Sequence, residues 1–361
     1  MEAAGNASVT STCQWDVSIT RISWPRKTIS PPGWTHTLKA IVLQKTPGGG
    51  ARLKGLGVIV SLAIAAVAIF ALTRALNNVD YNEVFAVVRR TNPGVLVAAL
   101  MLVATSYASL TLYDLLALRT IRRKDVRYRI AALASFTSYP IAHGVGAVAL
   151  ISPLIRYRIY SHHRLGAIDV ANICFLTGLT FWLGNLTALG LSLIWEPGAL
   201  GLVDYLPPQV NRWLAAALLL GIVGFLVWSW VSPRSFGTRR WPVRLPSGPV
   251  MLLQIGIGIV DLGAAALAMY VLLPAGMNIG MFRLITVFIA ATLLGFASHA
   301  PAGLGVFDAA ILLGLGGEER EPLIAALLMF RFFYHFLPFV LALALFGGLE
   351  GWRSFRARNG M

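Results

Sequence analysis

Long apolar runs alternate with short basic or mixed segments along almost the whole chain. The runs cover residues 56–76, 94–118, 130–155, 166–195, 213–231, 250–273, 282–315 and 322–346. Each is long enough for a helix to cross a bilayer, which takes about 20 apolar residues. Two of the runs are interrupted in the same way. Residues 136–160 read FTSYPIAHGVGAVALISPLIRYRIY, and residues 296–313 read FASHAPAGLGVFDAAILL. Both carry F-x-S, then a proline (Pro140, Pro301), then a G-x-G pair, Gly144 and Gly146 or Gly303 and Gly305. Backbone broken by glycine and proline is tolerated at membrane depth only where it faces protein or a wet cavity. His143, Gly144, Gly146, Pro301, Gly303 and Gly305 are therefore expected to form two turns inside the bundle.

Charge fixes how the runs are threaded. The segment before residue 56 is basic, and so is the cluster Arg119, Arg122, Arg123, Lys124, Arg127 and Arg129, so both belong on the cytoplasmic side. If residues 130–155 were an ordinary span, Arg156, Arg158 and Arg164 would lie outside, and later loops would break the rule as well. If the run instead turns back near His143 to Gly146, Glu196 and Asp204 fall outside and Arg234, Arg239, Arg240 and Arg244 fall inside. Returning Arg353, Arg356 and Arg358 to the inside then requires 282–315 to turn back from the opposite face. The expected fold is an all-α polytopic membrane protein, an inverted-repeat bundle with about six full spans and two oppositely oriented re-entrant helical hairpins. Its expected parts are a disordered basic tail over 1–54, a transmembrane domain over 55–350 and a basic tail over 351–361, with both termini cytoplasmic. Residues 79–90 read as a short amphipathic segment on the outer surface.

Composition agrees with this picture. The 361 residues are 57% hydrophobic and 12% charged, with a net charge of +15. Basic residues placed between apolar runs fit anionic lipid headgroups better than nucleic acid. Cys13 and Cys174 make no redox or metal motif, and no Walker A, dinucleotide or HExxH signature is present. No cofactor, metal or catalytic constellation is expected. Arginine is costly at membrane depth, and guanidinium matches phosphate geometry, so Arg156, Arg158 and Arg331 are candidate phosphate ligands. His335, four residues after Arg331, and Asp308, three residues after Gly305, complete the candidate substrate site. Snorkelling explains Arg156 and Arg158 equally well, and an ion pair with Asp308 or Asp261 explains Arg331. Asp114, Asp169 and Asp261 are further carboxylates in or beside apolar runs.

The chain resembles the lysylphosphatidylglycerol synthase transmembrane region family. The resemblance rests on GVGA at 144–147 followed by RYRIY at 156–160, and on PAGLGVFD at 301–308 followed by Arg331. It covers about 56–346. Ala302 stands where the family commonly has glycine, and Asp308 where it commonly has glutamate. The resemblance implies a flippase-like membrane domain that moves a phospholipid between leaflets of the bacterial cytoplasmic membrane, with an aminoacylated phosphatidylglycerol as one candidate and cationic-peptide resistance as the outcome in full-length relatives. With the chain ending at Met361, no synthase domain and no enzyme activity are expected. The alternative is a non-transporting scaffold for a separate lipid-modifying enzyme. Gly256, Gly258 and Gly263 would also allow a homodimer through close helix packing.

Overall fold

The computed structural model describes residues 81–201, 206–231, 235–238, 241–274, 276–316 and 320–358. The basic segment 1–54, the apolar run 56–76 and residues 359–361 lie outside the described residues.

Helix α1 (Tyr81–Arg90) realises the amphipathic segment, and α2 (Pro93–Thr120) follows after a sharp start. The Asn92 side chain accepts from Gly94 N–H at 2.7 Å, and Pro93 sits at the first position, where its missing N–H costs nothing. Then come α3 (Tyr128–Val145), α4 (Val148–Tyr160), α5 (Ala167–Trp195) and α6 (Pro208–Val231). A short antiparallel pair, β1 (Ser235–Thr238) and β2 (Trp241–Arg244), pairs Ser235 with Arg244 and Thr238 with Trp241. This ribbon departs from the all-α expectation. Phe236, Thr238, Trp241 and Val243 are good strand formers, which favours pairing here.

The second half contains α7 (Gly248–Val271), α8 (Met281–Ser298), α9 (Val306–Leu315) and α10 (Arg320–Arg331). A π-helical stretch, Phe332–Phe336, joins α10 to α11 (Leu337–Arg358). Residues 351–358 thus continue the last helix. Helix α1 lies against α10.

Six of the described helical stretches are long and apolar enough to cross a membrane. They match five of the expected spans, and the sixth is α8, the first limb of the second broken run. The bundle also turns large apolar side chains outward, with Trp213 69% and Leu220 71% exposed on α6. Such a surface is stable only against lipid or another apolar partner. The protein is an integral membrane protein.

Packing centres on α7, which runs along α2 and α5. At the α5–α7 crossing Gly184 and Gly258 meet backbone to backbone, and a Cβ on Gly184 would come within 2.6 Å of Gly258 Cα. Gly258 therefore serves contact within the subunit, while a Cβ on Gly256 or Gly263 would meet nothing within 4 Å. The main core joins α2, α7, α8, α9 and α10, and a second core fills the space between α2, α3, α4 and α5.

Both interrupted runs fold as two helices around a turn, with α3 packed on α4 and α8 packed on α9. In the first turn Gly146 has φ 80°, and its N–H donates to Ala142 O and His143 O. In the second, His299 (φ 55°), Ala302 (φ 50°), Gly303 (φ 63°) and Gly305 (φ 82°) share a wider bend with a short 3-10 turn at Pro301–Gly303. The two turns touch each other. A Cβ on Gly146 would lie 2.8 Å from the Pro301 nitrogen, so a bare glycine lets the backbones meet.

Candidate functional site

Each hairpin is tied to a neighbouring helix by an arginine–carboxylate pair. In the first, Arg156 on α4 reaches Asp114 on α2. Its Nε donates at 3.0 and 3.2 Å to the two carboxylate oxygens and its Nη2 at 2.8 Å to Oδ1. Tyr160 OH donates to Asp114 Oδ2 at 2.7 Å, and Arg156 Nη1 donates to Ser152 Oγ. Arg156 is 3% exposed and Asp114 is fully buried. A charge so far from water is stable only when paired and hydrogen-bonded, and here it is.

In the second, the roles are exchanged. Asp308 lies in the first turn of α9, where its Oδ2 accepts from Gly305 N–H at 2.9 Å and caps the helix. Arg331, at the end of α10, donates from Nε to Asp308 Oδ1 at 2.5 Å and from Nη2 to Oδ2 at 2.7 Å. Its Nη1 donates to Ala302 O at 3.2 Å, and its guanidinium lies 5.6 Å from the centre of the Phe307 ring. One arginine therefore holds the turn, the cap of α9 and the end of α10 together.

A cavity of ≈ 550 Å³ lies where the two turns approach each other. Its wall includes His143 and Arg156 from the first hairpin, His299 and Ala302 from the second, and Tyr334 and His335 from the π-helical stretch. His143 stacks on Tyr139 at 4.3 Å and meets the edge of Phe296 at 4.7 Å. Its Nε2 is buried without a hydrogen-bond partner, and so is His335 Nδ1. The π-helical stretch follows Arg331 directly. A π turn adds a residue to one helical loop and is frequent at functional sites.

The structure thus joins Arg331 with Asp308 and places His335, four residues after Arg331, on the cavity wall. Arg156 lines the same cavity but is already bound to Asp114. Arg158 is apart from it. It pairs with Glu350 on α11 at 2.6 Å, with its side chain 43% exposed. Of the turn residues, His143, Gly146 and Gly303 reach the cavity, while a Cβ on Gly144 would strike the Phe339 ring of α11. Among the described residues, no three His, Cys, Asp or Glu side chains come together as a metal site. Sequence reasoning missed the Arg156–Asp114 pairing and the hydrogen-bonding of Ser106, Tyr113 and Tyr334 around Asp261. A polar stripe Ser106, Tyr113, Asp114 on one face of an apolar helix was the available signal.

The amino-acid sequence has relatives among known proteins. No family model matches the chain. It is 31% identical over 292 residues to the inner membrane protein YbhN of Escherichia coli (strain K12), covering 78% of this chain and 88% of that protein. It is 30% identical over 274 residues to an uncharacterized protein of Synechocystis, covering 73% of this chain and 83% of that one. It is also 25% identical over 287 residues to the phosphatidylglycerol lysyltransferase of Staphylococcus aureus (strain MRSA252), covering 77% of this chain but 32% of that enzyme.

Proposed function

The chain belongs to the family of membrane proteins that includes YbhN, and from that premise we propose that it carries a phospholipid between the leaflets of the bacterial cytoplasmic membrane. The observation that carries this reading is the cavity of ≈ 550 Å³ at the meeting of two broken helical hairpins. An apolar cavity with a few convergent polar groups suits a ligand headgroup. Two hairpins entering from opposite faces, in an inverted-repeat bundle with both termini cytoplasmic, would let the cavity open alternately to either side.

In this reading the headgroup sits between His143 and His335, whose buried ring nitrogens have hydrogen-bonding capacity to spare. Arg156, held by Asp114, contributes a wall, and a phosphate would share that guanidinium. The Arg331–Asp308 pair fixes the second turn, and Arg158 with Glu350 ties the C-terminal end of α4 to α11. The acyl tails remain in the surrounding bilayer. No bond is made or broken, so the protein acts as a translocator and not as an enzyme. The lysyltransferase relative makes phosphatidylglycerol, or its aminoacylated form, the first headgroup to try. Anionic lipids would meet the basic segments, and a second copy or a separate lipid-modifying enzyme are partners this arrangement allows.

The test is leaflet exchange of fluorescent phosphatidylglycerol and lysyl-phosphatidylglycerol in proteoliposomes. Wild-type protein is expected to exceed protein-free vesicles. His143→Ala and His335→Ala each remove a headgroup hydrogen bond, about 1 kcal/mol, and slow exchange roughly fivefold. Exchange no faster than in empty vesicles, with folded protein present, would favour the scaffold for a lipid-modifying enzyme.

A further inference from the structure

One polar group on the cavity wall has no part in holding the headgroup or the hairpins. Asp261, in the middle of α7, is 5% exposed. Its Oδ1 accepts from Ser106 Oγ at 2.5 Å and its Oδ2 from Tyr113 OH at 2.9 Å. Ser106 Oγ also lies 3.1 Å from Tyr334 OH. Tyr334, Ser106, Asp261 and Tyr113 therefore form one connected hydrogen-bonded chain between the π-helical stretch and α2. Tyr113, Asp261 and Tyr334 all reach the cavity.

The contrast with the other buried carboxylates decides what this one is for. Asp114 and Asp308 each hold an arginine, whereas no ion pair reaches Asp261 among the described residues. A buried carboxylate without a countercharge is strongly disfavoured in its ionised form. Two hydroxyl donors stabilise the charge but leave it uncancelled. A hard divalent cation asks for about six oxygen ligands, and this carboxylate with two hydroxyls offers too few. A proton needs only the carboxylate. Each hydroxyl in the chain is both donor and acceptor, so the chain can pass a proton along by reorienting.

The surroundings keep that charge uncompensated. Tyr107 and Tyr113 from α2, Tyr139 from α3 and Tyr334 from the π-helical stretch lie close enough to interact with Asp261 electrostatically. Elsewhere on the cavity wall stand His143, His299, His335, Cys174 and Arg156, the last neutralised by Asp114. Arg331 is bound to Asp308, and Arg283 of α8 donates to Gly314 O. Helix α6 carries one titratable side chain, Arg212, close to its start.

We infer that Asp261 is a proton site coupled to the headgroup, so that a proton and an anionic phospholipid cross together. This inference rests on the translocator reading. An ionised Asp261 and an anionic phosphate in one cavity of low dielectric repel each other, and protonation of Asp261 removes that barrier. The carboxylate takes one proton from water on one side and returns it on the other. The pair H⁺ plus a singly anionic lipid is electroneutral, and the lipid itself is chemically unchanged.

The experiment uses the full chain in phosphatidylcholine vesicles containing fluorescent phosphatidylglycerol, with the membrane potential clamped and a tenfold proton gradient imposed. One proton per lipid can sustain up to roughly a tenfold leaflet asymmetry, since one pH unit is a factor of ten in proton activity. Wild-type protein is expected to build this asymmetry, and Asp261→Asn, permanently neutral, to show a leaflet ratio of one. Active exchange that ignores the proton gradient in wild type overturns the coupling and leaves the translocator reading standing. Asymmetry retained in Asp261→Asn overturns the assignment to Asp261, and asymmetry driven by a sodium gradient overturns the proton. Absence of any exchange counts against the translocator reading itself. Infrared difference spectroscopy of the purified protein then judges the proton site separately. A protonated-carboxyl C=O band that titrates with pH and disappears in Asp261→Asn supports it, and no such band refutes it.

Discussion

The two hairpins solve the same problem with opposite assignments of charge. In the first, the hairpin carries the arginine and α2 supplies the carboxylate, whereas in the second the hairpin carries the carboxylate and α10 supplies the arginine. The first pair is sealed in the core, and the second retains some exposure, with side chains 13% and 11% exposed. The first turn is tight and needs one left-handed glycine. The second is wide and spreads the left-handed conformation over two glycines, a histidine and an alanine. What is shared is the need to anchor a broken segment whose own backbone cannot hold it. What differs is how rigid the anchor is, and the second turn, with the π-helical stretch beside it, is the better candidate for movement.

The largest effect should come from unpairing the sealed anchor. Asp114→Asn leaves Arg156 buried with no countercharge and is expected to cost about 3 to 5 kcal/mol. Asp308→Asn should cost less, because Arg331 can still draw on water. Thermal unfolding in one detergent would compare the two. Equal losses would mean that the two anchors are equivalent and that the contrast in burial has no energetic meaning.

Next in size is Gly146→Ala. The substitution forces a side chain into a left-handed conformation, at about 1 to 2 kcal/mol, and drives its Cβ against Pro301. Hydrogen exchange should rise in both turns, since each backbone is the other's wall. Loosening confined to the first hairpin would contradict the contact between them.

The smallest effect has the opposite sign. Ala302 adopts φ 50° and ψ 24°, where an alanine is strained. Ala302→Gly should stabilise the protein by about 1 kcal/mol or slightly less, because relief of strain is partly offset by the greater freedom of glycine when unfolded. A lower melting temperature for Ala302→Gly would show that the second turn gains from its strained residue.

The apolar runs and the two glycine-rich turns were legible in the chain alone. Hydropathy, Asn92 and Pro93 at the start of α2, and G-x-G after proline act within a few residues, so their consequences can be read locally. The chain also singled out Arg331, Asp308, His335 and His143 as unusual, because a polar side chain in an apolar run is visible without any fold. The pairing of those groups is another matter. Arg156 and Asp114 are 42 positions apart, Ser106 and Asp261 are 155, and Ser106 and Tyr334 are 228. The π-helical stretch did have a local signal, since Pro338 has no N–H to donate to Tyr334 O and that carbonyl accepts from Tyr107 OH instead. Which of Asp114, Asp261 and Asp308 receives an arginine, and which is left with hydroxyls, follows from the packing of distant helices. The reason is that burial makes each charge seek a partner, but helix packing chooses which partner lies within reach.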